Sequence, residues 1–147
     1  MTDGYKSKTL ATWVAFLGGS LGLHRFYLYG LRDVWGWVWT VPTLIGGIGL
    51  RRFLTLGQED HLAQILIPFL GLSLAAGALA ALIYGLMPDE KWNARFNPNG
   101  PEHATGWLTI IGVVFSLLIG ATVLMSTIAA SGGWYFEYQA SQKASSN

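Results

Sequence analysis

Apolar residues run in long blocks along this chain, and short polar stretches separate them. The first block opens at Leu10, behind Lys6 and Lys8, and carries through Ala15-Phe16-Leu17-Gly18-Gly19 to about Leu23. The second opens after Arg32-Asp33 with Trp35-Gly36-Trp37-Val38-Trp39 and continues to Leu50, before Arg51-Arg52. Leu62 to Leu86 is apolar almost throughout, and so is Trp107 to about Ala130. Blocks this long, without the alternation of a half-buried strand, predict helices. Four such helices predict an all-α, polytopic integral membrane protein with about four membrane segments.

The lengths test that reading. Lys8 to Leu23 covers only about 22 Å as a helix, against a hydrocarbon core of about 30 Å. A crossing here calls for thinning of the bilayer, for Lys8 and Arg25 to reach opposite interfaces by extending their side chains, or for association with neighbours. Leu62 to Leu86 rises about 37 Å and spans with some tilt. Pro42 and the run Gly46-Gly47-Ile48-Gly49 predict a kink or break in the second segment. Residues 56–61 form a loop, and 88–105, dense in turn formers at Asn97-Pro98-Asn99-Gly100-Pro101, form a longer one. Within it, Asp89 to Phe96 suits a short surface helix with Trp92 and Phe96 resting on the membrane. Residues 131–147 read as interfacial aromatics followed by a disordered polar tail.

Composition sharpens the picture. The 147 residues are 52% hydrophobic and 12% charged, where a soluble domain has about 25% charged residues. Lipid is the solvent this implies. Net charge is +1 and the bases are scattered, which argues against a nucleic-acid partner. The absence of cysteine excludes disulfides, thiolate metal sites and a cysteine nucleophile. The N-terminal segment imitates a secretory signal, with a basic flank, a short apolar run and small residues. Trp13 within the run and the charged turn directly after it favour a retained helix.

Packing and anchoring residues are the next layer. Ser73, Gly77, Ala81 and Gly85 recur every four residues, as do Gly112, Ser116 and Gly120. Each set makes a smooth strip on one helix face, and the two strips suit each other. Gly18, Gly19 and Gly22 do the same at the end of the first segment. Trp35, Trp37, Trp39, Trp107 and Trp134 suit the headgroup region, where a ring is apolar and its edge polar. Gln64, Ser73, Ser116, Thr122 and Ser126 are polar spots suited to helix–helix hydrogen bonds.

Chemistry is sparse. His24, His61 and His103 fall in separate extramembrane segments without metal-ligand spacing and read as solvated. Glu59-Asp60 and Asp89-Glu90 are loop pairs that remain hydrated, poor material for acid–base catalysis. No catalytic, metal or cofactor residue is expected. Arg25 and Asp33 flank the turn, and a pair between them would fix the angle between the first two helices.

The start of the chain resembles a known family. Lys6-Ser7-Lys8, the double glycine Gly18-Gly19, and Gly22 with His24-Arg25-Phe26-Tyr27-Leu28 and Gly30 are similar to the first half of the TM-two domain, a module of two transmembrane helices common in bacterial membrane proteins. The likeness covers about Lys6 to Thr55. It departs from the family pattern after Gly46-Gly47-Ile48-Gly49, where Leu50-Arg51-Arg52 stands without the expected aspartate. Residues 1–55 would then form the module and 62–130 an added hairpin. The resemblance implies a bacterial cytoplasmic membrane, with His24, Arg25, Phe26, Tyr27 and Asp33 as a docking or signalling turn. On this reading the chain is a non-enzymatic interaction or accessory component, with the bilayer and a second copy or another membrane protein as partners. A small transporter or channel subunit, with a path between glycine-broken helices, is the alternative. Four crossings would put Lys6, Lys8, Arg51, Arg52 and Lys143 on one side and Arg25, Arg32, Lys91 and Arg95 on the other, a balance that sets no orientation.

Overall fold

The computed structural model describes residues 4–146, so the predicted polar ends at Met1 to Asp3 and Asn147 lie outside it. The described residues are all-helical: α1 is Lys8–Gly18, α2 Leu23–Tyr29, α3 Val34–Leu56, α4 His61–Gly85, α5 Asp89–Phe96 and α6 Trp107–Ser145. A single 3-10 turn, Gly19–Leu21, joins α1 to α2.

The central element is α4, which packs against α1, α3 and α6. Gly46 and Gly49 of α3 lie on Leu70 and Leu66 of α4, and Gly71 and Ala78 of α4 lie on Thr127 and Gly120 of α6. In both pairs one chain ascends as the other descends, so α3 and α6 both run antiparallel to α4. The α3–α4 corner is tight: Gly57 adopts φ 88, and Asp60 caps α4 by accepting from the Leu62 amide.

α1 and α2 form a hairpin that turns back. Gly22 adopts φ 73, and its amide donates to the Gly19 carbonyl. A side chain there would be strained and would collide with the Gly36 backbone. The chain then returns, and the Ser7 amide donates to the Tyr27 hydroxyl at 2.9 Å while Lys6 Nζ donates to the Tyr27 carbonyl at 2.8 Å. The predicted single helix from Lys8 to Leu23 is therefore replaced by a hairpin. Lys8 and Arg25, expected at opposite ends, lie at the same end. At 11 residues, α1 descends only about 16 Å, and its tip meets α4 at Gly77, by Gly19.

Two further expectations are corrected. α3 continues unbroken through Pro42 and the glycines. Those glycines serve close approach, because a Cβ on Gly46 or Gly49 would enter the α4 backbone. The tail is helical rather than irregular, since α6 continues to Ser145. Trp134 sits against Phe53 and Tyr138 against His61, while Gln139 and Gln142 donate to the hydroxyls of Tyr135 and Tyr138 one turn back.

Packing is inverted relative to a water-soluble bundle. The interior holds Ala11, Thr12, Ala15, Ala63, Ser73, Ala78, Ala81, Thr109 and Ser116, whereas Ile83, Leu117, Leu118 and Met125 are more than half exposed. α4 and α6 are long and apolar enough to cross a membrane, with mean hydropathy 2.2 and 2.5.

Candidate functional site

The polar chemistry gathers at the end where α1 starts, α2 stops and α5 lies. Its first part is the turn. Arg25 Nε donates to Asp33 Oδ2 at 2.6 Å, and Nη2 reaches Oδ1 at 3.4 Å. The expected pair across the turn is present. The hydrogen bond from Arg25 holds the Asp33 carboxyl below its usual range. The guanidinium also lies 5.1 Å from the Tyr29 ring centre, a cation–π distance. Phe26 covers Gly36 and meets Trp37 at 5.1 Å.

His24 behaves differently from expectation. It is buried, with its ring 5.8 Å from that of Tyr84 and its Nδ1 without a hydrogen-bond partner. The α2 helix turns it inward towards α4, so it is not solvated. His103 is buried as well, its Nδ1 2.5 Å from the Tyr5 hydroxyl. Burial lowers its pKa, an effect that Lys8 adds to and Asp89 opposes.

The second part is a clamp on the N-terminal segment. Lys8 is 2% exposed; its ammonium donates to the Met87 carbonyl at 2.8 Å and pairs with Asp89. Asp89 also accepts from the Thr105 amide at 2.8 Å and from the Thr105 hydroxyl. Burial pushes the Asp89 carboxyl up, but the bonds from Lys8 and Thr105 outweigh it and leave the pKa at about 2. The expected hydrated pair Asp89-Glu90 is thus half engaged, and Asp60 of the other pair is held by Arg52 at 2.8 Å. Asn97 bridges Lys6 through both of its amide atoms, accepting from the Lys6 amide at 2.8 Å and donating to its carbonyl at 3.1 Å. Trp92 is fully buried, and its indole donates to the same carbonyl at 2.9 Å. α5 therefore turns Trp92 into the protein rather than resting it on lipid. Its neighbour Phe96 is half-buried beside it, the ring centres 4.5 Å apart. Asn93 closes the loop by bonding both the amide and the carbonyl of His103.

The hairpin tip forms a third polar group. Thr43 donates to the Ser20 carbonyl at 2.5 Å and lies 3.0 Å from the Ser73 hydroxyl, while Thr40 donates to the Leu21 carbonyl at 3.0 Å. The open carbonyls of a broken helix end are thereby satisfied from α3.

The predicted packing strips divide their work. Gly77 faces Gly19 and Ser20, Gly85 faces Val113 of α6 with Thr12 beside it, Gly112 faces Thr12, and Gly120 faces Ala78. The two strips thus meet α1 and its tip as much as each other. Gly18 lies under Leu23. Of the polar spots, Ser73 bonds across helices, whereas Ser116, Thr122 and Gln64 bond within their own neighbourhood. Trp35, Trp37 and Trp107 are exposed, while Trp39 and Trp134 are half-buried.

Sequence reasoning missed Lys8, Asp89, Asn93, Asn97 and Thr105 as one network, because 81 to 91 residues separate the partners of Lys8 and Lys6. Among the described residues no cluster of three His, Cys, Asp or Glu side chains is disposed to hold a metal. No protein-family model matches the chain, and comparisons with curated proteins and with solved structures return no match either.

Proposed function

We propose that this chain is a multi-pass membrane protein in which α3, α4 and α6 span the bilayer and the α1–α2 hairpin enters it to half depth. The observation that carries this reading is the inverted packing. Small and hydroxylated side chains fill the interior, and large aliphatic ones face outward along α4 and α6, the pattern of helices associating in lipid. α3 lies along α4 from the Thr43–Ser73 contact through Gly46 and Gly49 to the Arg52–Asp60 pair, and on this reading it spans with its neighbour.

Within that membrane frame the chain acts as a non-enzymatic interaction or accessory component of the TM-two type. Its working parts are the packed helices and the Arg25–Asp33 turn. The turn supports this by its rigidity: a two-pronged ion pair and an aromatic contact fix a basic, aromatic knuckle at the end of the bundle. Purification in mild detergent with mass measurement tests the proposal. Self-association or a stoichiometric membrane partner is expected. A monomer that carries ions across liposomes would replace it with the transport reading. That reading has to route a path past the hairpin tip, where Thr40 and Thr43 already occupy the free carbonyls.

A further inference from the structure

Given the membrane reading above, we infer that the end capped by α5 faces the cytoplasm and that α6 ends on the opposite face. The hairpin decides this. Because α1 and α2 return to the end they left, Lys6 and Lys8 share a side with Arg25 and Arg32. Lys91 and Arg95 of α5 belong to the same end: Trp92 of α5 bonds Lys6, and Arg95 donates to the Tyr29 hydroxyl. Of the nine Lys and Arg residues, six are therefore at this end, and Arg51, Arg52 and Lys143 are left at the other. Basic residues in short flanking segments are retained on the cytoplasmic side, and the segments here are short: 30–33, 57–60 and 86–106, the last including α5. Arg32, Lys91 and Arg95 are also exposed, placed to meet the anionic headgroups of the cytoplasmic leaflet.

Three crossings also make a statement about the termini: they lie on opposite faces. A first helix that crossed would put them on the same face, so the N-terminus is the discriminating position.

The chain has no cysteine, so single replacements report cleanly. Gly4→Cys, Asn99→Cys, Gln58→Cys and Gln142→Cys fall at exposed positions, and a Cβ on Gly4 meets nothing within 4 Å. Each full-length variant is produced in bacterial cells and treated as spheroplasts with a membrane-impermeant maleimide, before and after lysis. Carbonate-resistant sedimentation is scored alongside. Gln58→Cys and Gln142→Cys should label in intact spheroplasts, whereas Gly4→Cys and Asn99→Cys should gain about tenfold only on lysis. The mirror-image pattern would overturn the orientation. Gly4→Cys labelling with Gln58→Cys would overturn the three-crossing topology. A carbonate-soluble chain labelled only on lysis at all four positions would remove the membrane reading itself.

Discussion

Asp89 joins three segments that sequence keeps apart: the start of α1 through Lys8, the start of α5, and the approach to α6 through Thr105. Replacing it by Asn leaves the Lys8 ammonium buried without its counter-charge. Such losses cost about 3–5 kcal/mol in a fully buried pair. Because Asp89 is itself 36% exposed, the lower end, about 3 kcal/mol, is expected, read as a fall in thermal stability in detergent. Acid should act on the same residue. Its folded pKa of about 2 lies below the ordinary 3.8, so its contribution is complete above 3.8 and drains away as pH falls towards 2. His103 adds a milder dependence nearer neutrality. Burial lowers its pKa below 6.5, so the unfolded chain takes up the proton first and stability declines as pH drops below 6.5. His103→Gln should flatten that part of a melting-temperature profile between pH 7 and 5. A profile unchanged by the substitution would dismiss the role of His103. At the turn, Asp33→Asn removes a partly exposed pair, so only a small fall in thermal stability is expected, together with faster proteolysis near Gly30.

At the scale of elements, the hairpin depends on Gly22. A side chain at its φ of 73 costs about 1–2 kcal/mol in backbone strain alone, and it would also press on Gly36. Gly22→Ala should therefore lower the melting temperature in detergent through both strain and the collision with Gly36, whereas Gly30→Ala, at φ 85 and ψ 172, acts through strain alone because no atom lies within 4 Å. α4 and the start of α6 were legible in the sequence, since each begins at a polar-to-apolar boundary and no distant contact is needed to place it, and α5 was legible from the four-residue spacing of Trp92 and Phe96. The Arg25–Asp33 pair was legible too, being local. The hairpin was not, because the run from Leu10 to Leu23 continues through the tip with only glycines and Ser20, and no charged residue, to mark a reversal. Its evidence lies in contacts with α3, α4 and α5. The helical tail was hidden for a related reason: Gly132-Gly133 has poor helix propensity, and the packing of Trp134 and Tyr138 overrides it.

Across the whole molecule, the half-depth seating proposed above for the hairpin would have a consequence for biogenesis. Residues 8–29 leave the ribosome before nearly everything that holds them: Thr40 and Thr43 of α3 at the tip, Gly77 of α4 beside it, and Trp92, Asn97 and Asp89 over its base. An apolar stretch descending about 16 Å cannot serve as a self-sufficient anchor during synthesis. The hairpin therefore seats after α3 and α4 have been inserted, and the clamp around Lys6 and Lys8 closes last. Nascent chains from which only α1 to α3 have emerged should leave Lys8 and the hairpin open to protease, and chains from which Thr109 has emerged should protect them. A segment made before its supports would thus be the last to reach its place.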